Sequence, residues 1–253
     1  MPKETDGYVR SIARGFSVVE AMGQSPGRYT MAEIANMTDL NRATARRVLL
    51  TLVSLKYVSV TGKYYQLRPR ALKLGLSYLG TLPFFSVAQF ALEDLKSEIK
   101  ESCAIAVLDE QEIVYIGRLP ARRIISTSLG VGSRLPAHLV SLGRVLLAAL
   151  PDDERQSCVE SIKYSKSTPK TVDNAEDLSK ILDKTASEGF AWVDGELDPA
   201  ICGIAVPLRD LSGKVVAAIS VNMISGTYSE ELVAEKFLLP LKRTAQEIRA
   251  QMR

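Results

Sequence analysis

Met31-Ala32-Glu33-Ile34-Ala35 and then Leu40-Asn41-Arg42-Ala43-Thr44-Ala45-Arg46-Arg47-Val48-Leu49-Leu50-Thr51-Leu52 are the runs whose reading decides the fold of the first third of this chain. Thr30, just ahead of the first run, and Glu33 inside it form a capping box, in which hydroxyl and carboxylate each satisfy an amide that a helix start leaves unpaired. Ile34 and Met37 share the inward face of that short helix. Thr38-Asp39-Leu40 is a turn, and Asn41 caps a second helix from Arg42 to about Leu55, with Ala45, Val48, Leu49, Leu52 and Leu55 facing inward. Two short helices about a tight turn predict a helix-turn-helix. Ala43 and Thr44 are small enough to let the second helix approach base edges. Arg42, Arg46 and Arg47 then reach guanine edges or phosphates.

Outward from that pair, Val9–Met22 places Ile12, Phe16, Val19 and Met22 on one helical face, and residues 23–27 read as a loop. On the other side, Tyr57–Val60 and Lys63–Leu67 are β-rich runs joined by Thr61-Gly62, a hairpin wing that sets Lys63 and Arg68 for phosphates. The expected DNA-contacting set is Asn41, Arg42, Ala43, Thr44, Arg46, Arg47, Lys63 and Arg68.

Charge supports this reading. Residues 1–75 carry 12 Lys/Arg against 5 Asp/Glu, whereas residues 76–253 carry 20 against 24. The 53 residues from Leu40 to Leu92 hold eight cations and no carboxylate. A solvated surface ordinarily mixes both signs, so the exclusion points to a polyanionic partner, either nucleic acid or an acidic membrane surface.

Composition narrows the classes further. With 253 residues, 46% hydrophobic and 24% charged, the chain has material for two packed domains. No apolar run approaches the roughly 18–20 residues of a membrane span. Met1–Asp6 is polar and does not read as a secretory signal, so a cytoplasmic location is expected. Three separated cysteines (Cys103, Cys158, Cys202) and one histidine suit neither a disulfide framework nor a structural zinc site, and no metal or cofactor is expected.

Thr81-Leu82-Pro83 marks a break. Beyond it come an amphipathic helix over Phe84–Ile99, strands at Ala104–Leu108, Ile113–Gly117 and Arg123–Ser128, and a helix at Leu142–Leu150. A capped helix then ends at Gly189, strands follow at Gly203–Val206 and Val215–Met223, and a helix closes the chain. This mixture predicts an α+β sheet domain. Catalysis is not expected. A Ser-His-Asp or Cys-His site would depend on His138, no Gly-x-Ser-x-Gly elbow is present, and Gly130-Val131-Gly132 lacks the lysine of a phosphate loop.

The helix-turn-helix runs quoted above, with Tyr57-Val58, Tyr65-Gln66-Leu67 and Arg70-Ala71-Leu72-Lys73-Leu74-Gly75, resemble the IclR family of bacterial transcriptional regulators. The likeness covers nearly the whole chain. It includes Tyr115–Pro120 with Arg122-Arg123-Ile124, and Gly132–His138 with Ser141–Ala148. Asp194–Pro199 with Ile204–Asp210 and the run Ala218-Ile219-Ser220-Val221-Asn222 continue it. The motifs read closest to the branch that controls protocatechuate, 4-hydroxybenzoate and β-ketoadipate catabolism. The resemblance implies a winged helix-turn-helix at 1–70, a linker helix at 71–81, and a GAF-like α/β effector-binding and oligomerisation domain at 82–253. It also implies double-stranded promoter DNA as partner, a small organic acid as effector, and a homodimer or dimer of dimers. The alternative is a second domain that only oligomerises.

By position, the family's ligand contacts fall at Ser141, Leu142, Val193, Gly203, Ser220 and Asn222. Many members have Asp where this chain has Val193, and Ser or Cys where it has Gly203. A pocket with fewer polar groups and more room favours a ring or a longer chain over a two-carbon keto acid. Arg134 and His138 are the expected carboxylate-holding groups, the arginine in bidentate fashion.

Overall fold

The computed structural model describes residues 7–25, 27–121 and 129–252. The chain divides into two compact units, Met1–Tyr78 and Leu79–Arg253. The strand expected at Arg123–Ser128, the run Arg122-Arg123-Ile124 and Pro26 of the first loop lie outside the described residues.

The first unit holds α1 (Arg10–Gly23), β1 (Tyr29–Thr30), α2 (Met31–Met37), α3 (Arg42–Ser54), β2 (Val58–Thr61), β3 (Tyr64–Leu67) and α4 (Leu72–Leu79). The capping box forms as the sequence dictates. Thr30 N–H donates to Glu33 Oε2 at 2.6 Å, and Glu33 N–H donates to Thr30 Oγ1 at 3.3 Å. Asn41 caps α3 by accepting from Thr44 N–H at 2.9 Å. β2 and β3 pair antiparallel, and the two-residue β1 adds a third strand beside β3 that the sequence reading missed. The core is Val18, Met22, Ile34, Leu49, Leu52 and Val58. Two apolar positions expected inside stand outside. Met37 and Leu55 are exposed, and α1 turns Val18, Ala21 and Met22 inward while Ile12 and Phe16 remain open. The helix therefore has two apolar faces, of which the unit buries one.

The second unit is a six-stranded antiparallel sheet with helices on both faces. Its elements are α5 (Phe85–Ile99), β4 (Ser102–Asp109), β5 (Glu112–Leu119), β6 (Arg134–Pro136), α6 (Ser141–Ala148), α7 (Asp152–Ser161) and α8 (Ala175–Glu188). β7 (Ala191–Asp194), β8 (Ile201–Arg209), β9 (Val215–Ile224), α9 (Glu230–Val233) and α10 (Leu239–Ala250) complete it, with a π-turn at Ala234–Leu238 between the last two helices. Strand order is β6-β5-β4-β9-β8-β7.

Side chains alternate across a strand, so each strand contributes to two cores. Cys103, Ile105, Val107, Ile204, Val206, Ile219 and Val221 meet α5 and α10. On the opposite face Ala104, Ala106, Ala205 and Ala218 meet α6, α7 and α8 through Leu142, Val145, Leu147, Val159, Leu178 and Leu182. Large residues on one face and small ones on the other make the packing unequal. Gly143 lets α6 close on the preceding turn: a Cβ there would stand 2.0 Å from the Ala137 carbonyl oxygen and 2.3 Å from its Cα.

Candidate functional site

Arg42, Ala43, Arg46 and Arg47 are exposed along the opening of α3, and Lys63 and Arg68 are exposed on the wing. Among the described residues none of these five cations pairs with a carboxylate. Charge so placed and left unneutralised suits phosphate and base contact at one surface. Thr44 corrects its expected role. It is buried, with its amide spent on Asn41, so it turns into the unit and not toward a groove. Asn41 acts first as the helix cap.

In the second unit the sheet register builds a concavity. Arg118, Ala104, Ser220, Ala205 and Ala191 stand in one row across five strands, and Ser102, Asn222, Gly203 and Val193 in the next. The small residues of the first row pack into the core beneath α6, and Arg118 with Asn222, Gly203 and Val193 of the second row borders a space at the helix start. The result is a cavity of about 320 Å³ walled by Tyr115, Arg118, Ser141, Val193, Gly203 and Asn222, with Glu196 and Asp198 of the following loop at its side.

The expected effector contacts separate on this geometry. Ser141, Val193, Gly203 and Asn222 line the cavity. Leu142 instead fills the core between α6 and the sheet. Ser220 is fully buried and touches the site through Asn222, whose Nδ2 donates to Ser220 Oγ at 2.9 Å. The room expected at Gly203 is taken by polar atoms. A Cβ there would stand 2.6 Å from Asn222 Oδ1 and 3.1 Å from Ser141 Oγ, so the glycine serves close approach rather than extra volume.

Arg134 and His138 are corrected. Arg134 lies on edge strand β6, exposed, bonded to Glu112 through Nε and to Asp109 through Nη1, each at 2.7 Å. Two carboxylates already occupy its fork. His138 is buried edge-on against Tyr164, with ring centroids 5.6 Å apart, and its Nδ1 has no partner. Burial, with the neighbouring Arg144 charge, pushes its pKa down to about 4, so the ring is neutral and carries no charge for an anion. Neither residue lines the cavity.

Two features escaped the sequence reading. Arg118 supplies the cavity's wall with a cation, its Nη1 donating to the Leu129 carbonyl at 2.7 Å. Arg144, buried in α6, pairs with Glu196 at 2.7 Å and donates through Nε to the His138 carbonyl at 3.0 Å. Burial lowers the Arg144 pKa, and Glu196 opposes that shift. Glu196 Oε2 also accepts from Val172 N–H, while Thr171 Oγ1 donates to the Glu196 carbonyl at 2.7 Å, so the wall formed by residues 196–198 is tied to α6. Among the described residues, no His/Cys/Asp/Glu group could hold a metal ion, and no helix is long and apolar enough to cross a membrane.

A winged helix-turn-helix with unpaired cations, followed by a sheet domain, is the architecture of a DNA-binding regulator. Residues 11–62 match the IclR helix-turn-helix domain and residues 76–250 match the bacterial transcriptional regulator IclR C-terminal domain; the chain belongs to the IclR family. It is 34% identical to the Pca regulon regulatory protein of Pseudomonas putida, over 91% of this chain and 80% of that one. A solved structure from Rhodococcus sp. RHA1 superposes with a TM-score of 0.85 at 38% identity, covering 97% of this chain and 98% of the other. An IclR homologue from Microbacterium hydrocarbonoxydans, solved in complex with 4-hydroxybenzoate, superposes with a TM-score of 0.84 at 26% identity, covering 96% and 98%. The chain is thus a transcriptional regulator and not an enzyme.

Proposed function

We propose that this regulator binds promoter DNA through α3 and the wing, and takes a small organic acid, aromatic or dicarboxylic, in the cavity beneath α6 to control genes of aromatic-acid breakdown. The observation that carries the proposal is the cavity itself, where Ser141, Val193, Gly203 and Asn222 converge from four elements. Val193 puts an apolar wall where an Asp would repel an anion. The Pca relative and the 4-hydroxybenzoate complex of the Microbacterium homologue support the choice of acid. Control of DNA binding requires only that the acid bind the DNA-competent and incompetent states with different affinity.

The same reading includes self-association as a homodimer or dimer of dimers. Ile12, Phe16, Val19, Leu55 and Leu74 border an apolar groove of about 590 Å³ in the first unit, a larger open surface than scattered exposed side chains make. One small reading head rarely specifies an operator, whereas paired heads double the contacts. Sedimentation should show a dimer or larger at micromolar protein; monomer alone, with and without DNA, contradicts it. The effector proposal is tested by a thermal-shift screen. Aromatic and six-carbon acids should raise the melting temperature more than glyoxylate or pyruvate, and the reverse order overturns the choice.

A further inference from the structure

The cavity has two chemically different ends, and their hydrogen-bonding inventories give the ligand a direction. At one end Asn222 spends its Nδ2 on Ser220 Oγ, which leaves Oδ1 as an acceptor turned toward Gly203. Ser141 Oγ stands on the same side of Gly203, and neither oxygen has a protein partner among the described residues. A carboxylate only accepts, so it would meet the Asn222 oxygen as a like partial charge. A hydroxyl both donates and accepts, and satisfies Asn222 Oδ1 and Ser141 Oγ together.

The other end lies across the sheet. Arg118 on β5 faces Ala104 of β4, which faces Ser220 of β9, and Asn222 lies two residues further along β9, so about 12 Å of backbone separates the two ends. Arg118 reaches the cavity because of a bulge. Ala106 pairs with Tyr115 but Ile105 pairs with Gly117, and the extra residue puts Tyr115 and Arg118 on one face. Among the described residues its guanidinium donates through Nη1 to the Leu129 carbonyl, and no carboxylate pairs with it. The two acids nearby are otherwise engaged. Glu196 is neutralised by Arg144, and Asp198 Oδ1 accepts from Ala200 N–H.

We infer that Arg118 anchors the effector's carboxylate and that Asn222 Oδ1 with Ser141 Oγ reads a hydroxyl at the ligand's opposite end. The ligand class is a ring monocarboxylate with its hydroxyl remote from the acid group. This rests on the cavity being the effector site, as proposed above, and adds the residue and the orientation that select among acids.

Calorimetry on the full chain tests it with 4-hydroxybenzoate, benzoate, 2-hydroxybenzoate, adipate and the uncharged 4-hydroxybenzamide. Wild type should bind 4-hydroxybenzoate at least tenfold tighter than benzoate, 2-hydroxybenzoate or adipate. Arg118→Met should lose about 10- to 100-fold on 4-hydroxybenzoate, the worth of a charge-assisted contact, and change little on the amide. Arg118→Lys should recover part of the loss, which a merely structural arginine would not allow. An Arg118→Met chain that binds the acid as wild type does, or loses acid and amide equally, overturns the anchor. Adipate binding as tightly as 4-hydroxybenzoate overturns the hydroxyl end. Absence of heat with every acid in wild type overturns the effector reading as well, which an unchanged Arg118→Met would not.

Discussion

The two units of this regulator handle polar groups in opposite ways. In the first, Arg42, Arg46, Arg47, Lys63 and Arg68 stand exposed and, among the described residues, none forms a salt bridge, while apolar residues such as Ile12, Phe16 and Leu72 lie open to the surface. In the second, most apolar residues close into two cores on either side of a sheet, and among the described residues charge goes inside as the Arg144–Glu196 pair. A surface left unneutralised announces its polyanion in composition. A cavity is announced by nothing but the packing that encloses it, so the first unit's charge is legible in sequence and the second unit's cavity only in register.

That contrast breaks most sharply at Gly143. Its Cβ position meets three Ala137 backbone atoms at 2.0–2.5 Å, and backbone cannot give way. Gly143→Val should cost more than about 4 kcal/mol and abolish cooperative unfolding of the second unit, a loss tied to overpacking against fixed backbone. Trp192, the chain's single tryptophan, lies in β7 and reports on that unit alone.

Next in size is the buried ion pair. Arg144→Met leaves Glu196 charged and unpaired, at a cost of about 3–5 kcal/mol, whereas Arg144→Met with Glu196→Leu should recover most of it. A single variant as stable as wild type by urea unfolding would show that the wall of residues 196–198 does not depend on this tie.

The first unit should respond through its partner and not through its stability. Arg46→Ala should weaken specific DNA binding by about 1–3 kcal/mol if it meets a base, and Lys63→Ala should lower the salt slope by about one. Neither should move the Trp192 transition. Fluorescence anisotropy over a salt series reads both effects, and wild-type binding by an Arg42/Arg46/Arg47 triple alanine would remove α3 from the interface.

His138 gives an effect with a defined sign. Its pKa falls from 6.5 unfolded to about 4 folded, so the unfolded chain binds the extra proton in between. Its contribution is fully present above about pH 6.5 and is lost as pH falls toward 4. His138→Gln should flatten the pH dependence of unfolding in that window; an unchanged profile would place the titration elsewhere.

Legibility follows the same divide. The capping box at Thr30 and Glu33, the α3 cap at Asn41 and the hairpin about Thr61-Gly62 are local signals, and each stands where the sequence put it. Strands β4, β5, β8 and β9 lie within a few residues of their apolar runs, because doubly buried strands read that way, whereas the short edge strands β6 and β7 carry no such run and were missed. Arg118 was not found, since a strict period of two would group residues 115, 117 and 119, and only the bulge at Ile105 and Ala106 breaks that period. Arg134 looked like a free cation because Asp109 and Glu112, distant in sequence, reach it only through strand pairing. Gly203 looked like room, since a sequence does not say which side chains cross over a glycine.

The most direct test is Gly203→Leu, which pushes into Asn222 and Ser141 while leaving the first unit untouched. Calorimetry with 4-hydroxybenzoate and anisotropy with duplex DNA are measured on the same preparations. The account predicts saturable heat for wild type, none for the variant, and identical ligand-free DNA affinity and salt slope for both. Ligand binding undiminished in Gly203→Leu, or DNA binding lost together with it, would contradict it.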